Sequence, residues 1–275
     1  METWRLLPTG RFSPAENMAL DEAILIAHSQ GLVPPTVRFY GWDPPTLSIG
    51  YFQRIAEVDR AALQANGLGL VRRPTGGRAV LHDREVTYSI VVSESHPMMP
   101  RSVNESYRVL SMGLVEGFRN LGLEARMVSL ASAEERQKHE SPGSAACFDS
   151  PSWYELVVEG RKVTGSAQTR QRGVILQHGS ILLDLDADLL FSVLYFSSDR
   201  LRERLKAQFL QKAVSIKQVS GRDVSFEEAE AAFRSGFAKG LGVELVDGRL
   251  TPQENRIMRE LVATKYGNPE WNEKR

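Results

Sequence analysis

Apolar residues recur along this chain in two periods, one helical and one extended. Val103, Tyr107, Leu110, Leu114, Phe118 and Leu121 follow one another at three- and four-residue steps, which places them on one helix face. Ser102-Val103-Asn104-Glu105 precedes them as a capping box, and Gly122 stops the helix. Ser13-Pro14-Ala15-Glu16 is a second box with proline at the first helical position, and Gly31 ends the helix it opens. Ser225-Phe226-Glu227-Glu228 starts another helix, with Phe226, Ala229, Phe233 and Phe237 on one face. Thr251-Pro252-Gln253-Glu254 starts a fourth, which ends near Gly267.

Thr36 to Trp42, Val86 to Val92, Glu155 to Glu159, Lys162 to Ala167 and Val174 to Leu185 are β-branched, aromatic or alternating, and predict strands. Gly160-Arg161 is expected to be the two-residue turn of a hairpin. Strands come in adjacent pairs and helices do not alternate with them. The pattern predicts an α+β fold with a mixed, largely antiparallel sheet flanked by helices. Residues 1–185 are expected to form the core, and 186–275 a mostly helical part packed on it. Residues 131–143 are polar and unpatterned, which predicts a mobile loop.

Composition narrows the class. The 275 residues hold 34 acidic and 34 basic side chains, so no global field draws the chain to nucleic acid or a membrane surface. No apolar run approaches the roughly 18–20 residues that cross a bilayer, and the first residues do not read as a signal peptide. One cysteine, Cys147, permits no internal disulfide, and a cytoplasmic setting is expected. The five histidines show no ligand spacing, so no structural zinc is expected.

Three segments carry candidate chemistry. Arg72-Arg73-Pro74-Thr75-Gly76-Gly77-Arg78-Ala79-Val80-Leu81-His82-Asp83 follows a short apolar strand. Its paired glycines let backbone N–H groups approach a ligand, and its arginines could hold a carboxylate, a phosphate or a phosphopantetheine group. On pattern alone a plain β-turn is the simpler reading of Thr75-Gly76-Gly77. Lys162 opens a strand in which Gly165-Ser166-Ala167 leave room for a ligand or a second backbone. On a hairpin edge Lys162 also reads as a solvated charge. Cys147 sits among small and turn-forming residues and is either an inert buried thiol or a nucleophile. His82 and His178 read as proton carriers or as locally satisfied side chains.

Together the segments resemble the biotin/lipoate protein ligase superfamily, over essentially the whole chain, with residues 30–245 or so as the ligase-like region. The arginine–glycine segment is similar to its substrate loop, and Lys162-Val163-Thr164-Gly165-Ser166-Ala167 to its lysine strand. Cys147-Phe148-Asp149-Ser150-Pro151-Ser152-Trp153-Tyr154-Glu155-Leu156 is similar to the cysteine segment of its LipM-type octanoyltransferases. The resemblance implies a ligase-like fold and octanoyl transfer in lipoate biosynthesis, with Cys147 as acyl-thioester nucleophile and Lys162 as its partner. It implies octanoyl-acyl carrier protein as donor and a lipoyl-domain protein, such as the glycine cleavage H protein, as acceptor. It implies no cofactor, because a thioester is already activated and needs no ATP. Substrate contacts are expected from Arg72, Arg73, Thr75, Gly76, Gly77, Arg78, His82, Gly165, Ser166, Ala167, His178, Gly179 and Ser180. Arg72, Arg73 and Arg78 are also candidates for docking an acidic carrier. A monomer is expected. The rival readings are an amidotransferase that takes octanoyl from H protein, an ATP-dependent lipoate ligase and a non-catalytic acyl-binding protein.

Overall fold

A computed structural model describes residues 1–129 and 154–275. Cys147, Asp149 and the expected loop at 131–143 lie outside the described residues.

The strands in chain order are β1 (Glu2–Leu6), β2 (Gly10–Phe12), β3 (Thr36–Trp42), β4 (Thr46–Ile49), β5 (Gly69–Arg72), β6 (Val80–His82) and β7 (Glu85–Ser93). They continue with β8 (Arg126–Ser129), β9 (Tyr154–Val158), β10 (Arg161–Lys162), β11 (Thr164–Gln171), β12 (Val174–Leu182) and β13 (Val243–Asp247). The main sheet runs in the order β11-β12-β7-β3-β1-β13, with β2 paired to β3. Pairings among β11, β12, β7 and β3 are antiparallel, whereas β1 lies parallel to both β3 and β13. A mixed sheet is the result. Two three-stranded sheets, β5-β4-β6 and β10-β9-β8, complete the β structure among the described residues.

Period-two alternation in the central strands buries both faces of the sheet. Val37, Phe39, Val86, Tyr88, Ile90 and Val92 enter one core with Leu114, Phe118, Phe233 and Phe237. Tyr40 and Trp42 enter another with Met18 and Ala19, and Val91 a third with Ile24 and Leu25. Helix α1 (Pro14–Ser29) covers this second face. Its capping box is complete, since Ser13 Oγ accepts from the Glu16 N–H and Glu16 returns to the Ser13 N–H.

On the first face, helix Met112–Asn120 meets helix Phe226–Leu241 backbone to backbone. A Cβ at Gly236 would lie 2.3 Å from the Gly117 nitrogen, and one at Gly240 2.4 Å from the Met112 carbonyl oxygen. No side chain fits at Gly236 or Gly240.

The structure revises several expected elements. The helix expected from Val103 to Leu121 is two helices, Val103–Leu110 and Met112–Asn120, joined at Ser111. Ser102 makes no side-chain cap. Glu105 is engaged by Arg108 and by the Tyr154 hydroxyl, and the Ser102 carbonyl accepts from Arg170. The β9–β10 turn is Glu159-Gly160, one residue earlier than expected, with φ of 51° and 75°. Two successive positive φ values suit the twist of a hairpin, and glycine takes the second at no steric cost. The stretch Lys162–Ala167 is divided, with Lys162 paired to β9 and Thr164–Ala167 to β12.

Residues 186–275 are mostly helical, but β13 extends the main sheet and Val214, Phe233 and Val243 share the core of Trp4 and Phe39. Arg5 on β1 reaches into the same C-terminal region. Its Nη1 donates to Glu254 Oε2 at 2.9 Å, and both side chains are buried. Burial alone would raise the Glu254 carboxyl. The Arg5 bond, the Thr251 N–H and the Arg5 charge outweigh it and hold the carboxyl below its usual range. In the unfolded chain Glu254 therefore takes up its proton at a higher pH than in the folded protein. The stability it contributes is present above the unfolded value and is lost as pH falls through the folded one. Denaturant unfolding should show stability declining below about pH 4.5, and Glu254→Gln should flatten that decline. An unchanged slope in Glu254→Gln would remove Glu254 from this account.

Candidate active site

The loop 73–78 joins β5 to β6 and is held from several sides. Arg73 donates through Nη2 to the carbonyls of Gly76 (3.2 Å) and Arg78 (2.8 Å), and through Nη1 to Ser48 Oγ (2.6 Å). The Tyr51 N–H donates to the Thr75 carbonyl at 2.8 Å. Gly50 packs so tightly beneath the loop that a Cβ there would meet the Gly77 oxygen at 1.8 Å. With the carbonyls engaged, the N–H groups of Gly76 and Gly77 make no hydrogen bond among the described residues. Gly77 has a φ of +90°. Adjacent uncommitted N–H groups at such a bend suit an anion or a developing oxyanion.

Beside this loop is a cleft of about 340 Å³, part of it open to solvent. Gly165, Ser166 and Ala167 of β11, Gly179 and Ser180 of β12, and Met18, Trp42 and Val80 line it, with Arg73, His82, Thr87 and His178. The small side chains expected to leave room do so on two paired strands, where Gly165 faces Ser180 and Ser166 faces Gly179. A Cβ at Gly179 would fall 2.5 Å from the Gly165 oxygen and 2.8 Å from a Tyr88 ring carbon. Gly179→Ala should therefore destabilise the protein by about 1–3 kcal/mol through overpacking against Tyr88 and Ser166, read by thermal unfolding.

Both histidines at the cleft are buried and oriented by carboxylates. His82 Nε2 meets Ser48 Oγ at 2.7 Å, and Nδ1 lies 3.3 Å from Glu85 Oε1. Its ring stacks on Trp42 with centroids 4.2 Å apart. Burial holds the imidazole below its ordinary value against the opposing pull of Glu85, which favours the neutral ring. His178 Nε2 meets Thr75 Oγ1 at 2.6 Å, and Nδ1 meets Asp21 Oδ2 at 3.0 Å. The partners of His82 come from three strands, β3, β4 and β7.

Lys162 ends β10, and only 7 % of it is exposed. That burial excludes a solvated edge charge. Its Nζ lies 3.2 Å from Glu155 Oε1, itself buried, and its carbonyl accepts the Val214 N–H at 2.9 Å. Lys162 does not line the cleft, but it stands three residues before Gly165, which does.

The arginines need correction. Arg72 is fully buried and donates to the carbonyls of Gly50, Gln53, Trp271 and Asn272, which ties the C-terminal turn to β5. Arg73 is buried as well. A docking patch formed by Arg72, Arg73 and Arg78 is thus excluded, because only Arg78 retains partial exposure.

Sequence reasoning did not select Asp21, Arg38, Trp42, Ser48, Glu85, Thr87 or Glu155. Asp21 and Arg38 carried a usable signal, since each is a charge within an otherwise apolar buried run. Their ion pair is 2.6 Å long. No three histidine, cysteine, aspartate or glutamate side chains among the described residues are grouped to hold a metal, and no described helix is long and apolar enough to cross a membrane.

Comparison with known proteins gives the class. Residues 13–238 match the lipoyl protein ligase A/B catalytic domain. The chain belongs to that family. It is 63 % identical to octanoyltransferase LipM of Brevibacillus brevis and 54 % identical to that of Bacillus subtilis, covering all of this chain and 100 % and 99 % of theirs. Its fold is similar to an archaeal bipartite lipoate protein ligase from Thermoplasma acidophilum, with TM-score 0.81, 28 % identity and coverage of 99 % and 97 %. It is also similar to lipoate-protein ligase A bound with ATP, with TM-score 0.76, 29 % identity and 99 % of each chain covered. The chain groups with the octanoyltransferases of its family and is an enzyme, an acyltransferase.

Proposed function

We propose that this enzyme takes an octanoyl group from octanoyl-acyl carrier protein and delivers it to a lysine of a lipoyl-domain protein, through an acyl-thioester on Cys147. The observation that carries the reading is the cleft of small side chains beside the uncommitted Gly76 and Gly77 N–H groups. An eight-carbon chain in such a slot gains about 0.8 kcal/mol per buried methylene.

Cys147 thiolate adds to the donor carbonyl and the carrier thiolate leaves, so one thioester replaces another at little cost. The acceptor amine then adds to the acyl-enzyme, loses its proton and expels Cys147 as thiolate. The amide product is more stable than the thioester, so the second step draws the first forward without ATP. In both steps negative charge develops on the carbonyl oxygen, where N–H groups such as those of Gly76 and Gly77 act best. Lys162, fixed by Glu155, is the cation that keeps Cys147 ionised. The glycine cleavage H protein is the acceptor that the reading favours, and the cytoplasm its setting.

Intact-protein mass spectrometry after mixing the enzyme with octanoyl-acyl carrier protein tests this. A hydroxylamine-sensitive octanoyl adduct on Cys147, discharged by apo H protein, is expected. An adduct formed only from octanoyl-H protein would instead define an amidotransferase. Transfer that requires free octanoate and ATP would define a ligase.

A further inference from the structure

Asp21 lies on α1, far from the loop 73–78 in sequence, yet one chain of hydrogen bonds connects them. Asp21 is fully buried. Oδ1 accepts from Arg38 Nη1 at 2.6 Å and from the Ser89 hydroxyl at 2.8 Å. Oδ2 accepts from the Tyr40 hydroxyl and from His178 Nδ1, both at 3.0 Å. A carboxylate can only accept, so His178 carries its proton on Nδ1. Nε2, the other ring nitrogen, meets the Thr75 hydroxyl across 2.6 Å. Thr75 is itself buried, and the next two residues are Gly76 and Gly77. Burial would push the Asp21 carboxyl up. The Arg38 charge and the bonds from His178 and Ser89 outweigh it, and Asp21 stays ionised.

We propose that Asp21 is a positioning residue of the transfer reaction: it fixes the His178 tautomer, His178 fixes Thr75, and Thr75 sets the Gly76 and Gly77 N–H groups where the oxyanion develops. The inference rests on the acyl-transfer reading above. It adds a residue that touches neither substrate nor cleft, since Asp21 does not line the cleft and His178 does. Arg73 holds the same loop by its carbonyls, so the Asp21 chain has a separate task, the placement of Thr75.

The test compares single-turnover acylation of Cys147, read by intact mass, in Thr75→Val, Thr75→Ser, His178→Gln and Asp21→Asn. Thr75→Val and Asp21→Asn should each slow acylation about 10- to 100-fold, with the donor KM within about threefold. Thr75→Ser keeps the hydroxyl and should recover most of the rate. The double variant Asp21→Asn/Thr75→Val should be no slower than the slower single variant, because both break one chain. Should Asp21→Asn fail to fold for want of a full partner to Arg38, His178→Gln with Thr75→Val makes the same comparison. Wild-type rates in Thr75→Val, or effects that multiply in the double variant, would overturn the inference. Absence of any adduct in the wild-type enzyme would instead overturn the acyl-transfer reading.

Discussion

Cys147→Ala is expected to form no octanoyl adduct and to lose transfer by roughly 10³-fold or more, as removal of a covalent nucleophile does elsewhere. The chain holds no second thiol to substitute for it. Residual rate in the variant would come from binding and from the Gly76 and Gly77 N–H groups alone. Cys147→Ser should retain the attack geometry but not the nucleophile. Its hydroxyl is not ionised at neutral pH, and an oxygen ester would discharge slowly. The measurements are adduct mass and amide product on the acceptor over time, with folding checked by thermal unfolding. Full transfer by Cys147→Ala would end the thioester mechanism.

The second large effect is expected at Lys162. Its ammonium and the Glu155 carboxylate are both buried, 3.2 Å apart. Removing one member of such a pair commonly costs about 3–5 kcal/mol, because the other charge stays desolvated. Lys162→Ala should therefore lower stability as well as activity. The two losses can be separated. Lys162→Met with Glu155→Gln removes both charges and keeps much of the volume, so stability should return. Transfer should not, because the cation assigned to the thiolate is gone. In that double variant the Cys147 thiol should titrate about one to three units higher, read from the pH dependence of alkylation. An unchanged thiol titration would take Lys162 out of the mechanism.

Local signals in the sequence translated into structure where only near neighbours matter. Ser13, Ser225 and Thr251 cap their helices because a cap needs only an N–H three residues on. Ser102 has the same local grammar and does not cap, and the Glu105 carboxylate that would complete a capping box is taken by Arg108 and Tyr154. The small residues of β11 and β12 could be read as space, and they line the cleft. What could not be read was which polar groups would meet. Asp21 and His178 are 157 residues apart, and Ser48 and His82 are 34 apart. Arg72 shows the converse. Its residue type and place beside the glycines suggested substrate, yet partners about 200 residues away, at Trp271 and Asn272, occupy it. The Lys162–Glu155 pair lay within seven residues, but its burial depends on sheets and on the Val214 contact that only the folded chain supplies.

The seam between helices Met112–Asn120 and Phe226–Leu241, and the pairing of β1 with β13, also matter in time. On the ribosome β1 is made long before its partner β13, which is not complete until residue 247 has emerged. Until then Trp4 and Leu6 lack part of the core they share with Phe237 and Val243. Such distant pairing closes late and slowly, so a chain arrested near residue 185 carries an open sheet edge and the naked flank of a glycine-bearing helix. Synthesis of residues 186–247 is thus an interval in which the chain needs protection from its neighbours.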